Sequence, residues 1–263
     1  MKLTKRLKKK WKAIIGKSKQ DAPRDELITW LNRAYPSFDS SNSAALSKLR
    51  QALGVYLHDW GALESFQQER PCLNGGEAVP WFTYPAIAYI EALNLENSYV
   101  LEFGAGHSTL FWAERVKQIL SIETNKDWFD EINAKLGGIN VRHVSLEHYE
   151  TSDQYLLSLK QNSARQFDVI IVDAIDRFKT LEGVIGMLSD VGFIILDNSD
   201  WYPGCCKFMR EKGFTQIDFS GLGPQNRYAW TTSFFFTAGT RIEHRGSMKH
   251  RGMLEHRKPD DRL

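Results

Sequence analysis

Cysteine is scarce in this chain. Among 263 residues only Cys72, Cys205 and Cys206 carry thiols, and no CxxC pair is present. Those spacings exclude a disulfide framework and argue against a structural zinc, and they suit a reducing compartment. Long apolar runs are missing too. No segment reaches the roughly 20 apolar residues that a membrane-spanning helix needs. The basic start lacks the apolar stretch of a secretory signal, so the expectation is a retained, cytoplasmic protein. Net charge is nearly absent at +2, so overall charge names no partner. Acids are wholly absent from Met1 to Gln20, which holds nine lysines and arginines.

What is present has clear organisation. Met1 to Lys19 sets Leu3, Leu7, Trp11, Ile14 and Ile15 at helical spacing among lysines. Two readings stand: a solvated tail, or a basic amphipathic segment for an anionic membrane or nucleic acid. Residues 1–20 are therefore set apart as a basic tail and 21–97 as a helical extension. Asp21 to Arg70 has helical spacing of apolar residues. Gly75-Gly76 breaks it, and Pro85 fits the first turn of a further helix.

From Tyr99 the period changes. Short apolar runs alternate with helical stretches, which predicts strands at Tyr99 to Phe103, Gln118 to Ile122, Val141 to Val144, Phe167 to Val172 and Phe193 to Leu196. This is the βαβ alternation of a parallel sheet covered on both faces. Phe214 to Phe219 and Tyr228 to Phe236 are too close together for an intervening helix, so they should pair as an antiparallel hairpin. The expected fold is α/β: a Rossmann-like, doubly wound, mostly parallel seven-stranded sheet ending in an antiparallel hairpin. It occupies 98–237, and 238–263 reads as a polar, disordered tail.

The first strand ends Val100-Leu101-Glu102-Phe103 and turns through Gly104-Ala105-Gly106-His107-Ser108-Thr109 into a helix. Glycines let a backbone turn sharply and approach a ligand closely. Open α/β sheets bind ligands at the carboxyl ends of their strands, where the strand order switches. Thr109 stands where a dinucleotide fingerprint has its third glycine, which disfavours a pyrophosphate and favours a nucleoside without one. Glu123, closing the second strand, is placed to grip two ribose hydroxyls. A purely structural strand-to-helix turn is the alternative.

Val100 to Gly106 resembles motif I of the class I S-adenosylmethionine-dependent methyltransferases, and the closing hairpin is similar to the end of their sheet. The resemblance covers roughly Trp81 to Phe236. It implies S-adenosylmethionine as cofactor, held by Glu102, Gly104, Ala105, Gly106, Ser108 and the ribose acid Glu123. Ser108 stands where that family often has glycine. Glu147 is the nearest candidate for the acid beside adenine, and a solvated surface acid is its alternative.

Strand four is followed by Asp173 and strand five by Asp197-Asn198. An Asp on one strand beside an Asp-Asn pair on its neighbour forms an all-oxygen set suited to Mg2+. The set also resembles the metal site of cation-dependent O-methyltransferases, where the metal lowers the pKa of a substrate oxygen. The alternatives for Asp173 are a general base, a polar anchor or a helix cap. His148 is the second candidate base, against an exposed loop histidine. Trp81, Phe82, Tyr84, Trp201 and Tyr202 either wall a pocket near this rim or pack in the core. Arg177 pairs with Asp173 or Asp176, or meets an anionic substrate.

The reading that follows is a methyltransferase acting on an oxygen of a small-molecule acceptor. Its rivals are a non-catalytic, RNA- or membrane-associated protein on the same scaffold, and a nicotinamide-dependent oxidoreductase.

Overall fold

The computed structural model describes residues 29–30, 32–37, 39, 41–137, 142–161, 165–245 and 251. Met1 to Lys19, Val141 and most of the C-terminal tail lie outside the described residues. The chain divides into two compact units, 1–53 and 54–263. In the first, helix α1 (Ser43–Gly54) buries none of its residues. Among the described residues, no helix is long and apolar enough to cross a membrane.

The second unit opens with a π-helical turn (Val55–Asp59) and α2 (Ala62–Gln68). The helical pattern breaks at Gly61, whose φ is +67° and whose hydrogen-only side faces the backbone of Leu73 and Asn74. Helix α3 (Tyr84–Ala92) carries Pro85 in its first turn, as the sequence predicts. The alternating part then runs β1 (Tyr99–Phe103), α4 (His107–Ala113), β2 (Gln118–Glu123), α5 (Lys126–Leu136), β3 (Val144–His148), α6 (Ser152–Gln161), β4 (Phe167–Val172), α7 (Arg177–Val184), β5 (Leu188–Leu196) and α8 (Pro203–Glu211). It closes with β6 (Thr215–Gly221) and β7 (Trp230–Phe236).

The sheet order is β3-β2-β1-β4-β5-β7-β6. Strands β1 to β5 are parallel, and β7 is inserted antiparallel between β5 and β6. The expected α/β architecture is the observed one: seven strands, mostly parallel, doubly wound and ended by a hairpin. The order reverses at β1, whose neighbours are β2 on one side and β4 on the other. Ligands of such sheets lie outside that point.

Strand alternation divides the core in two. Val100, Ile119, Val169, Ile171, Phe193, Ile195 and Phe234 pack with α3 and α4 on one face. Leu101, Phe103, Ile122, Ile170, Val172, Ile194 and Phe235 pack with α6, α7 and α8 on the other. Glu102 and Glu123 fall in the first register. So does Asp197, whose side chain meets Trp230 and Thr232 of β7.

Three boundaries differ most from expectation. Strand β5 begins at Leu188, five residues before the expected Phe193, because Leu188 already pairs with Phe167. Strand β3 begins at Val144 and ends at His148, because its pairing with Ile119 to Glu123 fixes the register where composition could not. Residues 237–245, in the stretch read as a polar tail, are among those described and pair with the main chain of the domain. Asn94 N–H donates to the Glu243 carbonyl and Arg245 N–H to the Ala92 carbonyl, 2.8 Å each. Arg251 pairs with Glu91. A polar composition hides this pairing because backbone groups make it.

Candidate functional site

The loop after β1 is built around Gly104. Its φ is +92°, and an added Cβ would lie 2.2 Å from the Asp173 carbonyl oxygen. Only glycine fits such a position. Gly104 N–H donates to Ile122 O at 2.9 Å, and Asp173 N–H donates to Phe103 O at 2.9 Å. The turns after β1 and β4 are thus locked together at the switch point.

Glu102 lies beneath this loop and is fully buried. Thr109 Oγ1 and Ser121 Oγ each donate to its Oε2 at 2.6 Å. Gly106 N–H in turn donates to Thr109 Oγ1 at 3.1 Å. Burial pushes the Glu102 carboxyl up to about 7, against the neighbouring hydroxyls of Ser108, Ser121 and Thr109. Of the residues expected to hold a cofactor, Gly104, Ala105 and Gly106 form the loop, Ser108 lies in the first turn of α4, and Glu102 is the loop's internal brace.

Glu123 closes β2 with 8% exposure. Its Oε1 accepts from the amides of Thr124 and Asn125, 2.7 Å each. Burial raises its pKa, opposed by these amides and that of Ala105. Sequence reasoning missed its neighbour Trp128. The indole N–H of Trp128 donates to the Ala105 carbonyl, and the ring lies 3.4 Å from where a Gly106 Cβ would sit. An aromatic residue in the first turn of the helix after Glu123 was the available signal. His107 is also buried. Burial and Lys135 bring its pKa down to about 4, so it is neutral, and its Nε2 lies 3.1 Å from Lys135 Nζ.

Glu147 and His148 part company. Glu147 accepts from Tyr149 OH at 2.7 Å and lines a small cavity with Ser158, Arg165 and Phe167 on the α6 side. Phe167 begins β4, so that cavity lies away from the loop. His148 ends β3 opposite Glu123, and its ring lies 5.5 Å from Phe129. Three strand spacings separate β3 from β4, about 14 Å at about 4.8 Å each. His148 therefore stands on the Glu123 side of the rim, three strands from Asp173.

Asp173, Asp197 and Asn198 do come together, around a side chain. Arg177 at the start of α7 is 8% exposed. Its Nη2 donates to Asp173 Oδ1 at 2.7 Å and to Asn198 Oδ1 at 2.8 Å. Its Nη1 donates to Ala174 O at 2.6 Å and Tyr202 OH at 3.2 Å, and its Nε to Asp197 O at 3.2 Å. The Asp197 carboxylate turns the other way. Its Oδ1 accepts from Trp230 Nε1 at 3.0 Å and Thr232 Oγ1 at 2.5 Å. The expected Mg2+ site does not fit this geometry: the Asp197 carboxylate is bound by Trp230 and Thr232 of β7, and the Arg177 guanidinium occupies Asp173 Oδ1 and Asn198 Oδ1. Among the described residues, no group of three or more His, Cys, Asp or Glu side chains is arranged to hold a metal.

Asp173 keeps 26% of its side chain exposed. Burial and the nearby Glu123 push its pKa up to about 6, opposed by Arg177. The same effects, burial first and then Asp173, raise Asp197 well above its ordinary value. Of the aromatic residues predicted near this rim, Phe82 and Tyr84 are buried in the core, while Trp81 and Trp201 are exposed. Trp201 lies 6.2 Å from Tyr228, another exposed ring. Tyr202 stacks under the Arg177 guanidinium.

No family model matches the chain, and neither does any curated protein. Several solved structures resemble it in part. A precorrin-6y C5,15-methyltransferase from Geobacter metallireducens GS-15 is 13% identical, with a TM-score of 0.48 over 59% of this chain and 87% of that one. A putative O-methyltransferase from Klebsiella pneumoniae is 19% identical, with a TM-score of 0.47 over 58% and 76%. An rRNA methylase from Streptococcus thermophilus is 13% identical, with a TM-score of 0.46 over 58% and 96%. Likenesses this partial carry no argument about chemistry, which rests on the side chains.

Proposed function

We propose that the protein is an S-adenosylmethionine-dependent methyltransferase acting on an oxygen of a small molecule. One observation carries the reading. The ends of β1, β2, β4 and β5 bear Glu102, Glu123, Asp173 and Asp197, and each carboxyl is pushed upward by burial. Arg177 pairs with Asp173 and donates to the Asp197 carbonyl. Glu123 ends β2 beside a glycine turn whose third-glycine position is Thr109, buried and donating to Glu102, an arrangement suited to gripping a ribose and not to a close backbone approach to a pyrophosphate. That counts against the nicotinamide reading.

When bound, S-adenosylmethionine supplies an electrophilic methyl group. In this reading the glycine loop supports its amino-acid end, and Glu123 takes a ribose hydroxyl through the oxygen its own turn leaves unused. Asp173 Oδ2, which accepts no hydrogen bond from the described residues, takes the proton of the attacking hydroxyl. Trp201 and Tyr228 are the flat walls for the acceptor. Their task is to hold the nucleophile about 3 Å from the methyl carbon and keep bulk water out.

Titration calorimetry with S-adenosylmethionine, S-adenosylhomocysteine and NAD tests the reading. The first two should bind in the micromolar range and NAD should not; NAD binding alone would falsify the proposal. For Met1 to Lys19 we retain the anionic-partner reading. Removing that segment should abolish binding to anionic liposomes or RNA and leave cofactor affinity unchanged. Retained binding would make it a plain tail.

A further inference from the structure

Arginine has five N–H donors in a rigid planar fork. In Arg177 all five are used, on five oxygens: Asp173 Oδ1, Asn198 Oδ1, Ala174 O, Asp197 O and Tyr202 OH. Those acceptors come from three places in the sequence: the turn after β4, the turn after β5, and the residue before α8. The guanidinium carbon also lies 4.6 Å from the Tyr202 ring centroid, which adds a cation–π contact. Asn198 holds its side chain there from a left-handed backbone, φ +53°, a conformation asparagine tolerates better than most residues.

This set of acceptors is an oxygen cage shaped to a planar cation. Magnesium asks for six oxygens at about 2.0–2.1 Å in octahedral array. Here the oxygens fan out around a fork, each 2.6–3.2 Å from a nitrogen. A partly buried carboxylate in such a place is stabilised by a partner charge, and the chain provides its own.

We infer that Arg177 is a resident cation, filling from within the protein the position at this rim that a divalent metal would take. It neutralises Asp173 Oδ1 and fixes the turns after β4 and β5 to each other. Asp173 Oδ2 is left as the open oxygen. The consequence for the acceptor rests on the methyltransferase reading; the filled cage does not. An acceptor at a metal-free rim needs one group that can hydrogen-bond to Asp173, and gains nothing from the paired neighbouring oxygens that chelate a metal.

The test begins with the unaltered chain. Manganese titration followed by electron paramagnetic resonance should show no Mn2+ bound at this rim. Mn2+ uptake that D173N removes would overturn the inference. The second arm uses R177A. Deleting the side chain should open the cage, so that millimolar methylguanidinium binds one to one and raises the melting temperature. The wild type should show neither effect, and binding should weaken about tenfold or more in R177A/D173N, a loss of about 1.4 kcal/mol. A folded R177A that takes up no methylguanidinium would also overturn it, because an arginine valued only for packing leaves no binding site behind. The manganese arm decides the matter even if R177A does not fold. Neither arm uses S-adenosylmethionine, so a failure of the methyltransferase reading would show separately, as absent cofactor binding.

Discussion

The two halves of the rim are held by different means. At the ends of β1 and β2 the geometry is set by backbone and hydroxyl groups: Gly104 against the Asp173 carbonyl, Thr109 and Ser121 on Glu102, and two amides on Glu123. At the ends of β4 and β5 one guanidinium does the tying, with the Tyr202 ring against it. The first half is closed and built from main-chain groups and short side chains. The second depends on a single charged side chain that gathers distant parts of the chain. A tight, invariant ligand suits the former and a variable acceptor the latter.

The strongest way to break the contrast is G104A, which strikes the joint between the halves. The new methyl would sit in a positive-φ position and against the Asp173 carbonyl. The expected loss is roughly 3–5 kcal/mol of unfolding free energy in a denaturant titration. A near-neutral result would mean that the two turns are not locked.

Glu102 sharpens the contrast through pH. Its folded pKa is raised, to about 7 from 4.5, so the folded state binds the proton more tightly than the unfolded chain does. The associated stability is fully present below the unfolded value and is lost as pH rises through about 7. The span is roughly 3 kcal/mol, at about 1.4 kcal/mol per unit. E102Q, which mimics the protonated form, should flatten that slope in unfolding experiments across this range. An unchanged slope would assign the pH dependence elsewhere.

E123A should weaken S-adenosylmethionine by roughly 1.5–3 kcal/mol, the scale of hydrogen bonds to a charged group. Calorimetry that found native affinity would remove Glu123 from the ribose site. The smallest effect belongs to the open side. W201A should change unfolding free energy by no more than about 0.5 kcal/mol, since 54% of Trp201 is exposed. A large loss would make the ring part of the core and not a pocket wall.

The closed half was the legible one. The strands from Tyr99 and from Gln118 and the glycine turn follow from local alternation and backbone freedom, which nearby residues determine. The brace under the loop was not legible, because Thr109 and Ser121 reach Glu102 from separate elements. Asp173, Asp197 and Asn198 were visible as a group, and Arg177 as a neighbour of Asp173. That one guanidinium joins Asp173 to Asn198 depends on the packing of α7 against the end of β5, which spacing along the chain does not contain. Trp128 was missed for the same reason: its partner, the Ala105 carbonyl, lies 23 positions earlier.

The insertion of β7 between β5 and β6 has a consequence for biosynthesis. Asp197 is held by Trp230 and Thr232, which a ribosome makes more than thirty residues later. A nascent chain can complete the glycine turn and its brace while this carboxyl still lacks its anchors. The rim thus matures from one end to the other, and a chain cut short before residue 230 would have half of it.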